Sequence, residues 1–188
     1  MRVRLVLSLS LALLAVTALA SPARAAEGEH KIGLAGAFST LPVSDKDGNE
    51  TGAGAAIHYA YGISDAFNLV AEAGESIVAL DQKLDTPTTP HTRPASVGSL
   101  GAGVVYTLDV LRIVPFGGVL LGGYWLSGGT LDRGRAELGA QLALGVDYKI
   151  NLRWSVGVGL REHFFLTDRD TYGTYTQLFG KVEYAWGR

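Results

Sequence analysis

The stretch from residue 136 to residue 150 alternates between aliphatic and small or polar side chains. Every second residue from Ala136 to Ile150 is apolar, whereas the residues between them include Glu137, Asp147 and Lys149. A period of two residues predicts a β-strand with one apolar face. The same alternation recurs about eight times along the chain, at about residues 30–40, 51–62, 67–79, 96–108 and 112–127, twice within 135–165, and at 174–186.

The connections between the predicted strands differ in length. Those after the second, fourth and sixth strands are the short turns ISDAF, LDVLR and INLRW, whereas the others are longer or richer in glycine and polar residues. A row of hairpins with short turns at one end indicates an up-and-down antiparallel sheet. No linker divides it, so we expect one all-β domain. The longer loops, at about 41–51, 80–95, 127–134 and 166–173, would lie together at the other end.

The second face of these strands decides between two kinds of closed barrel. A soluble, lipocalin-like barrel would turn its aliphatic side chains inward around a ligand and expose charged side chains to water. Here the second face is rich in small residues, among them Gly33, Ala35, Gly54 and Gly157. Small side chains suit the narrow interior of an eight-stranded barrel whose aliphatic side chains face lipid. We therefore predict an eight-stranded antiparallel up-and-down transmembrane β-barrel, with the soluble ligand-binding barrel as the alternative.

Isolated charged side chains of both signs occur among the small residues of the predicted lumen face. A charge left without a partner in a barrel interior is costly, so the simplest interpretation is that these side chains pair with one another. The alternative interpretation is a gated path for ions or small solutes. The predicted lumen charge network consists of Glu72, Glu137, Asp147, Lys149, Arg153, Arg161, Lys181 and Glu183.

Aromatic residues cluster near both ends of the predicted strands. Tyrosine and tryptophan favour the interface between a membrane and water, so two clusters of this kind indicate two aromatic belts. The group near the long-loop end is Phe38, Trp125, Phe164 and Phe165. The predicted belt at the short-turn end consists of Tyr59, Tyr61, Tyr106, Tyr148, Trp154, Tyr184 and Trp186.

The N-terminal segment has the features of a secretory signal peptide. Arg2 and Arg4 precede an apolar run, which small residues follow. This pattern predicts a cleaved signal peptide at 1–25 and a mature barrel at 26–188. The chain has no cysteine, which excludes disulfide and thiol chemistry, and its net charge of −2 argues against nucleic acid as a partner.

Two segments, ELGAQLALGVDYKINLRWSVGVGLR (137–161) and QLFGKVEYAW (177–186), resemble the small eight-stranded outer-membrane β-barrels of Gram-negative bacteria, the OmpA/OmpX type. The resemblance covers essentially the whole mature chain. It implies outer-membrane lipid and the barrel-assembly machinery as partners, with both termini at the periplasmic end. Val182, Tyr184 and Trp186 alternate as the family's C-terminal assembly signal does, although two further residues follow them.

A few barrels of this family are lipid-modifying enzymes, so the ionisable residues near the long loops are candidate catalytic groups. Glu162 and His163 lie near such a loop, but the alternation gives His163 the lumen face. The four histidines lie on different elements without metal-ligand spacing. We therefore expect no enzyme activity, metal or cofactor. The expected role is structural or surface-interactive; the alternatives are a narrow, porin-like channel for small solutes and a lipid-modifying barrel.

Overall fold

The computed structural model describes residues 27–42, 49–78, 92–109, 112–167 and 171–187. These residues form eight strands, and each strand pairs antiparallel with its neighbours in the sequence. The first and last strands also pair with each other, which closes the sheet into a barrel. The strands are β1 (His30–Pro42), β2 (Asn49–Gly62), β3 (Phe67–Ile77), β4 (Ser96–Thr107), β5 (Ile113–Ser127), β6 (Arg135–Lys149), β7 (Trp154–Phe165) and β8 (Thr174–Trp186).

The strand boundaries confirm the predicted fold class. Short turns join β2 to β3, β4 to β5 and β6 to β7, and side chains cap two of them: the backbone N–H of Phe67 donates to Ser64 Oγ (3.2 Å), and that of Trp154 donates to Asn151 Oδ1 (2.9 Å). Such caps reverse the chain within a few residues. Within the described residues, no helix has the length and apolarity needed to cross a membrane. The predicted signal peptide lies outside the described residues.

The register of the strand pairs fixes the geometry of the closed barrel. A path that starts at His30 and follows paired residues once around the barrel returns to β1 at Thr40, ten residues further along. A stagger of this kind requires the strands to tilt relative to the barrel axis, typically by about 35–45°. The partners along this path are Tyr61, Leu69, Val104, Val119, Leu142, Glu162 and Thr176.

The two faces of the sheet differ as the alternation predicts. Outward side chains are mostly aliphatic, and Leu34, Leu138 and Val158 each expose 64–66% of their surface. Lipid accommodates a continuous apolar surface of this kind, whereas soluble monomers rarely expose one. Inward side chains are small, polar or aromatic. Phe165, predicted to lie with the aromatic residues of the loop end, shares the inward parity of Arg161 and is buried inside the barrel.

Glycines on the inner face allow neighbouring strands to approach closely, and this closeness has a measurable consequence. A Cβ added at Gly103 would lie 2.0 Å from the carbonyl oxygen of Val119 and 2.5 Å from the Cα of Leu120, so only a backbone shift could make room for it. On the outer face, a Cβ at Gly36 would meet no atom within 4 Å.

We expect Gly103→Ala to lower the free energy of unfolding by about 3 kcal/mol, because overpacking against backbone cannot be relieved by a change of rotamer. Gly36→Ala is the matched control, and we expect it to be neutral or slightly stabilising, since alanine restricts the unfolded chain. Urea unfolding of both variants in detergent micelles measures the difference. Equal stabilities of the two variants would contradict the close packing at Gly103.

Candidate functional site

The lumen contains an ion-paired cluster near the short-turn end, which we call the inner layer: His58, Asp147, Lys181 and Glu183. Lys181 Nζ lies 3.0 Å from Asp147 Oδ2 and 2.9 Å from Glu183 Oε1. His58 Nε2 lies 2.7 Å from the same Glu183 oxygen, and Ser155 Oγ donates to the other at 3.2 Å. Both carboxylates and the histidine are buried, so the pairing offsets the cost of removing these charges from water.

The middle layer lies at mid-height and contains the buried ion pair of Glu72 with Arg161, together with Gln141 and Phe179. Arg161 Nη2 donates to Glu72 Oε2 at 2.5 Å, and Gln141 Nε2 donates to the other carboxylate oxygen at 3.4 Å. The guanidinium carbon of Arg161 lies 3.9 Å from the centre of the Phe179 ring. Four strands, β3, β6, β7 and β8, therefore contribute to one cross-braced layer through the barrel centre.

Towards the long loops, neutral polar side chains form the outer layer: Ser39, Ser76, Tyr124, His163, Tyr175 and Gln177. His163 bridges this layer, because its Nδ1 lies 3.0 Å from the Tyr124 hydroxyl and its Nε2 lies 3.3 Å from Gln177 Oε1. Gln177 Nε2 in turn donates to Ser76 Oγ at 3.0 Å. On the side of the long loops, apolar side chains cover this layer inside the barrel. We call them the cap: Leu41, Val78, Val97, Leu126, Phe165 and Tyr172.

A small cavity of about 60 Å³ is bordered by charged side chains of the inner and middle layers. Among the described residues, His58 Nδ1 and Asp147 Oδ1 are buried side-chain atoms without a hydrogen-bond partner, and both residues line this cavity. A volume of this size suits about two water molecules, which would satisfy polar atoms of this kind. The cavity does not extend through the outer layer or the cap, whose side chains are absent from its lining.

The structure brings together five of the eight residues of the predicted lumen charge network. Glu72 and Arg161 meet in the middle layer, and Asp147, Lys181 and Glu183 meet in the inner layer. The other three lie elsewhere, because they occupy strand ends and a turn. Lys149 pairs with Asp109 at the short-turn end, Glu137 accepts a hydrogen bond from Thr167 near the long loops, and Arg153 is exposed in the β6–β7 turn instead of the lumen.

The lumen also contains functional groups that the predicted charge network did not include. These residues are Tyr124, His163, Tyr175 and Gln177. A prediction based on pairs of opposite charges does not include side chains of these types. The signal that could have found them is parity, since all four share the inward face of their strands.

The residues of the predicted aromatic belt lie on the outer face near the short turns, and several contact one another. Ring centres are 5.0 Å apart for Trp154 and Tyr184 and 6.1 Å apart for Tyr184 and Trp186. Trp186 also lies 6.4 Å from Tyr59 across the seam between β8 and β1. Tyr61, Tyr106 and Tyr148 continue the ring as outward, exposed side chains.

Glu162 and His163, the ionisable residues near the long loops, lie on opposite faces of β7. His163 points into the lumen and is almost completely buried, whereas Glu162 points outward and accepts a hydrogen bond from Thr176 at 2.7 Å. The two side chains therefore cannot act on one substrate. In the part of the chain that the structure describes, no three histidine or carboxylate side chains are placed to hold a metal ion.

The chain matches a known protein family, and its fold is similar to several solved structures. The family model for the outer membrane protein beta-barrel domain matches residues 11–186. Neisserial surface protein A aligns with a TM-score of 0.63 at 17% identity, over 84% of this chain and 99% of its own.

Two further solved structures are similar. Ail, the attachment invasion locus protein of Yersinia pestis, aligns with a TM-score of 0.57 at 12% identity, over 86% of this chain and 100% of its own. The N-terminal barrel of Pseudomonas aeruginosa OprF aligns with a TM-score of 0.55 at 12% identity, over 85% and 99% of the two chains. These likenesses concern the fold. At the level of sequence, no curated protein matches the chain.

Proposed function

Because the chain belongs to the outer membrane protein β-barrel domain family, we propose that it is a closed, non-catalytic barrel that carries interaction loops at the cell surface. Its location in the outer membrane follows from the family. We further propose that residues 1–25 are removed on export and that the barrel-assembly machinery inserts the remainder. The short turns would then face the periplasm and the long loops the exterior.

The observation that carries this proposal is the filled lumen. Ion pairs, hydrogen bonds and apolar side chains occupy the barrel at three successive levels and are covered by the cap. An eight-stranded barrel is just wide enough for side chains to fill it. Among the described residues, side chains fill the lumen apart from one small cavity, which favours the loops as the surface that protein partners contact. The small cavity, which charged side chains border in part, favours the alternative of a narrow channel.

The described bases of the long loops are tied to one another, which gives the loops a firm support. Arg93 Nη1 lies 3.2 Å from Glu50 Oε1, which joins the loop before β4 to the start of β2. The Tyr172 hydroxyl donates to the carbonyl oxygen of Thr92 at 2.5 Å, and the backbone N–H of Arg93 donates to Thr130 Oγ1 at 3.1 Å. A rigid scaffold with loops at one end is a common arrangement for binding surfaces. The names of Neisserial surface protein A and the attachment invasion locus protein agree with a surface role for barrels of this shape.

A loop-scrambled chain tests whether the loops act by recognition or whether the barrel alone is sufficient. Residues 43–48 and 82–89 would be rearranged in order, which keeps the length, charge and composition of both loops and leaves the lumen and the cap intact. In a strain that lacks the gene, we expect the wild-type chain to restore both the integrity of the envelope and the attachment of the cells to the partner surface that the loops contact. We expect the scrambled chain, at equal surface amount, to restore envelope integrity alone, since recognition depends on residue order. If the scrambled chain restores attachment as well, the role is structural.

A further inference from the structure

A groove on the outer wall of the barrel lies between Glu75 on β3 and Trp125 on β5. Gly98 on β4 pairs with both residues and forms the floor between them. Each of the three lies two residues inside the long-loop end of its strand. In the orientation proposed above, this end of the barrel lies at the level of the outer-leaflet lipid headgroups. The volume of the groove is about 470 Å³, and its upper edge is formed by Ser96 and Ser127.

Glu75 is a charged side chain on a wall that is mostly apolar. Its carboxylate points outward among Ala55, Ala73, Ile77 and Gly98, and it is exposed. No hydrogen-bond donor or cation from the described parts of the chain pairs with it. Ionisable side chains that face a membrane are costly and usually mark a functional contact. A hydrogen-bond donor at the headgroup level would remove that cost.

Trp125 supplies a flat apolar surface beside this carboxylate. Its ring lies over Gly98, with Cγ, Cδ1 and Cδ2 3.7–3.8 Å from the position that a Cβ would take there. The side chain is 51% exposed, and its indole N–H has no acceptor among the residues that the structure describes. The hydroxyl oxygens of Ser96 and Ser127 lie 2.9 Å apart, so only one of the two hydroxyl protons is used between them. The groove thus combines an aromatic face, an acceptor and several hydroxyl or N–H donors.

This combination suits a sugar ring better than a phosphate. The C–H face of a pyranose packs on an aromatic ring, whose face carries partial negative charge, and sugar hydroxyls can both donate to a carboxylate and accept from N–H and O–H groups. A phosphate would be repelled by Glu75. The outer leaflet of a Gram-negative outer membrane consists of glycolipid, so sugar rings are available at this level. We propose that the groove binds a sugar ring of an outer-leaflet glycolipid. The site belongs to the barrel wall. It rests on the proposed orientation, in which the long loops face the exterior, but not on the role proposed for the loops.

Trp125 is itself the reporter for the test. Trp154→Phe with Trp186→Phe leaves Trp125 as the single tryptophan, and heat-modifiable gel mobility verifies that each variant is folded. In micelles, we expect lipopolysaccharide that carries its core sugars to protect Trp125 from iodide quenching. Glu75→Gln, which loses the charge-assisted hydrogen bond, is expected to weaken the apparent affinity about tenfold. Glu162→Gln is the matched control, because that outward carboxylate already accepts from Thr176; we expect no change in the apparent affinity.

Two outcomes would overturn the proposal. If phosphatidylethanolamine protects Trp125 as well as lipopolysaccharide does, and Glu75→Gln abolishes that protection, the groove binds an ammonium headgroup and not a sugar. If no lipid gives protection that depends on Glu75, the groove is ordinary lipid-facing surface.

Discussion

Replacing Arg161 with methionine is expected to lower the free energy of unfolding by about 3–5 kcal/mol, because it leaves the Glu72 carboxylate buried in the lumen without a cation. Glu72 is only 9% exposed, and of the described residues only Arg161 forms an ion pair with it. The change also removes the guanidinium from the face of Phe179. Urea unfolding in detergent micelles, followed by tyrosine and tryptophan fluorescence, measures the loss.

Two controls separate the effect of the lost pair from the effect of a lost side chain. The double variant Arg161→Met with Glu72→Leu removes both charges, and we expect it to recover most of the stability, as replacements of buried pairs by apolar residues often do. Lys149→Met breaks the pair with Asp109 at the short-turn end, where water screens the charges, and we expect a loss below about 1 kcal/mol. If Arg161→Met costs no more than Lys149→Met, water reaches the middle layer and the lumen is not closed.

In planar lipid bilayers, the wild-type barrel is expected to give no discrete current steps. In the part of the barrel that the structure describes, the outer layer and the cap leave no continuous opening beyond the cavity, and an ion would have to displace a buried side chain at each level. An ion would have to lose its hydration shell to follow such a path, and the transfer of a charge from water into a protein interior is very costly. Heat-modifiable protein recovered from the bilayer preparation shows that the barrel was folded.

If current steps appear and Lys181→Met changes their ion selectivity, the narrow-channel alternative is established, because Lys181 is a cation deep in the lumen. Steps that Lys181→Met leaves unchanged would come from leaks around the protein or from contaminants. Glu75→Gln is the matched substitution on the lipid face, and its side chain lies outside any path through the barrel.

The sequence predicts the fold almost completely because one physical rule acts on every strand. Lipid outside and a narrow lumen inside demand different side chains at alternate positions, and β6, from Arg135 to Lys149, shows that alternation without interruption. Even β5, in which Pro115 and an apolar second face weaken the pattern, forms a continuous strand from Ile113 to Ser127. Pro115 causes no break, since it is only the third residue of this strand and its carbonyl oxygen still accepts from Leu108.

The candidate site is predicted less well, because parity gives the face of a residue but not its height in the barrel. Glu137 and Arg161 have the same parity, yet one lies near the loops with Thr167 and the other at mid-height with Glu72. Height depends on the stagger between strands, which no single segment encodes. Arg153 shows a second limit: the periodic rule ends where the strand ends, and the turn exposes its side chain.

The pairing of β1 with β8 also determines when the ion pairs of the inner layer can form. Lys181 and Glu183 lie on the last strand, and the partners that they meet, His58 and Asp147, lie on β2 and β6. Until the final thirteen residues join the sheet, the Asp147 carboxylate therefore lacks Lys181, the cation with which it forms its ion pair. Such a dependence slows completion, because the entropy of closing a long loop opposes contacts so distant along the chain. A chain shortened by its last strand would thus lose the ion pairs of the inner layer as well as the seam.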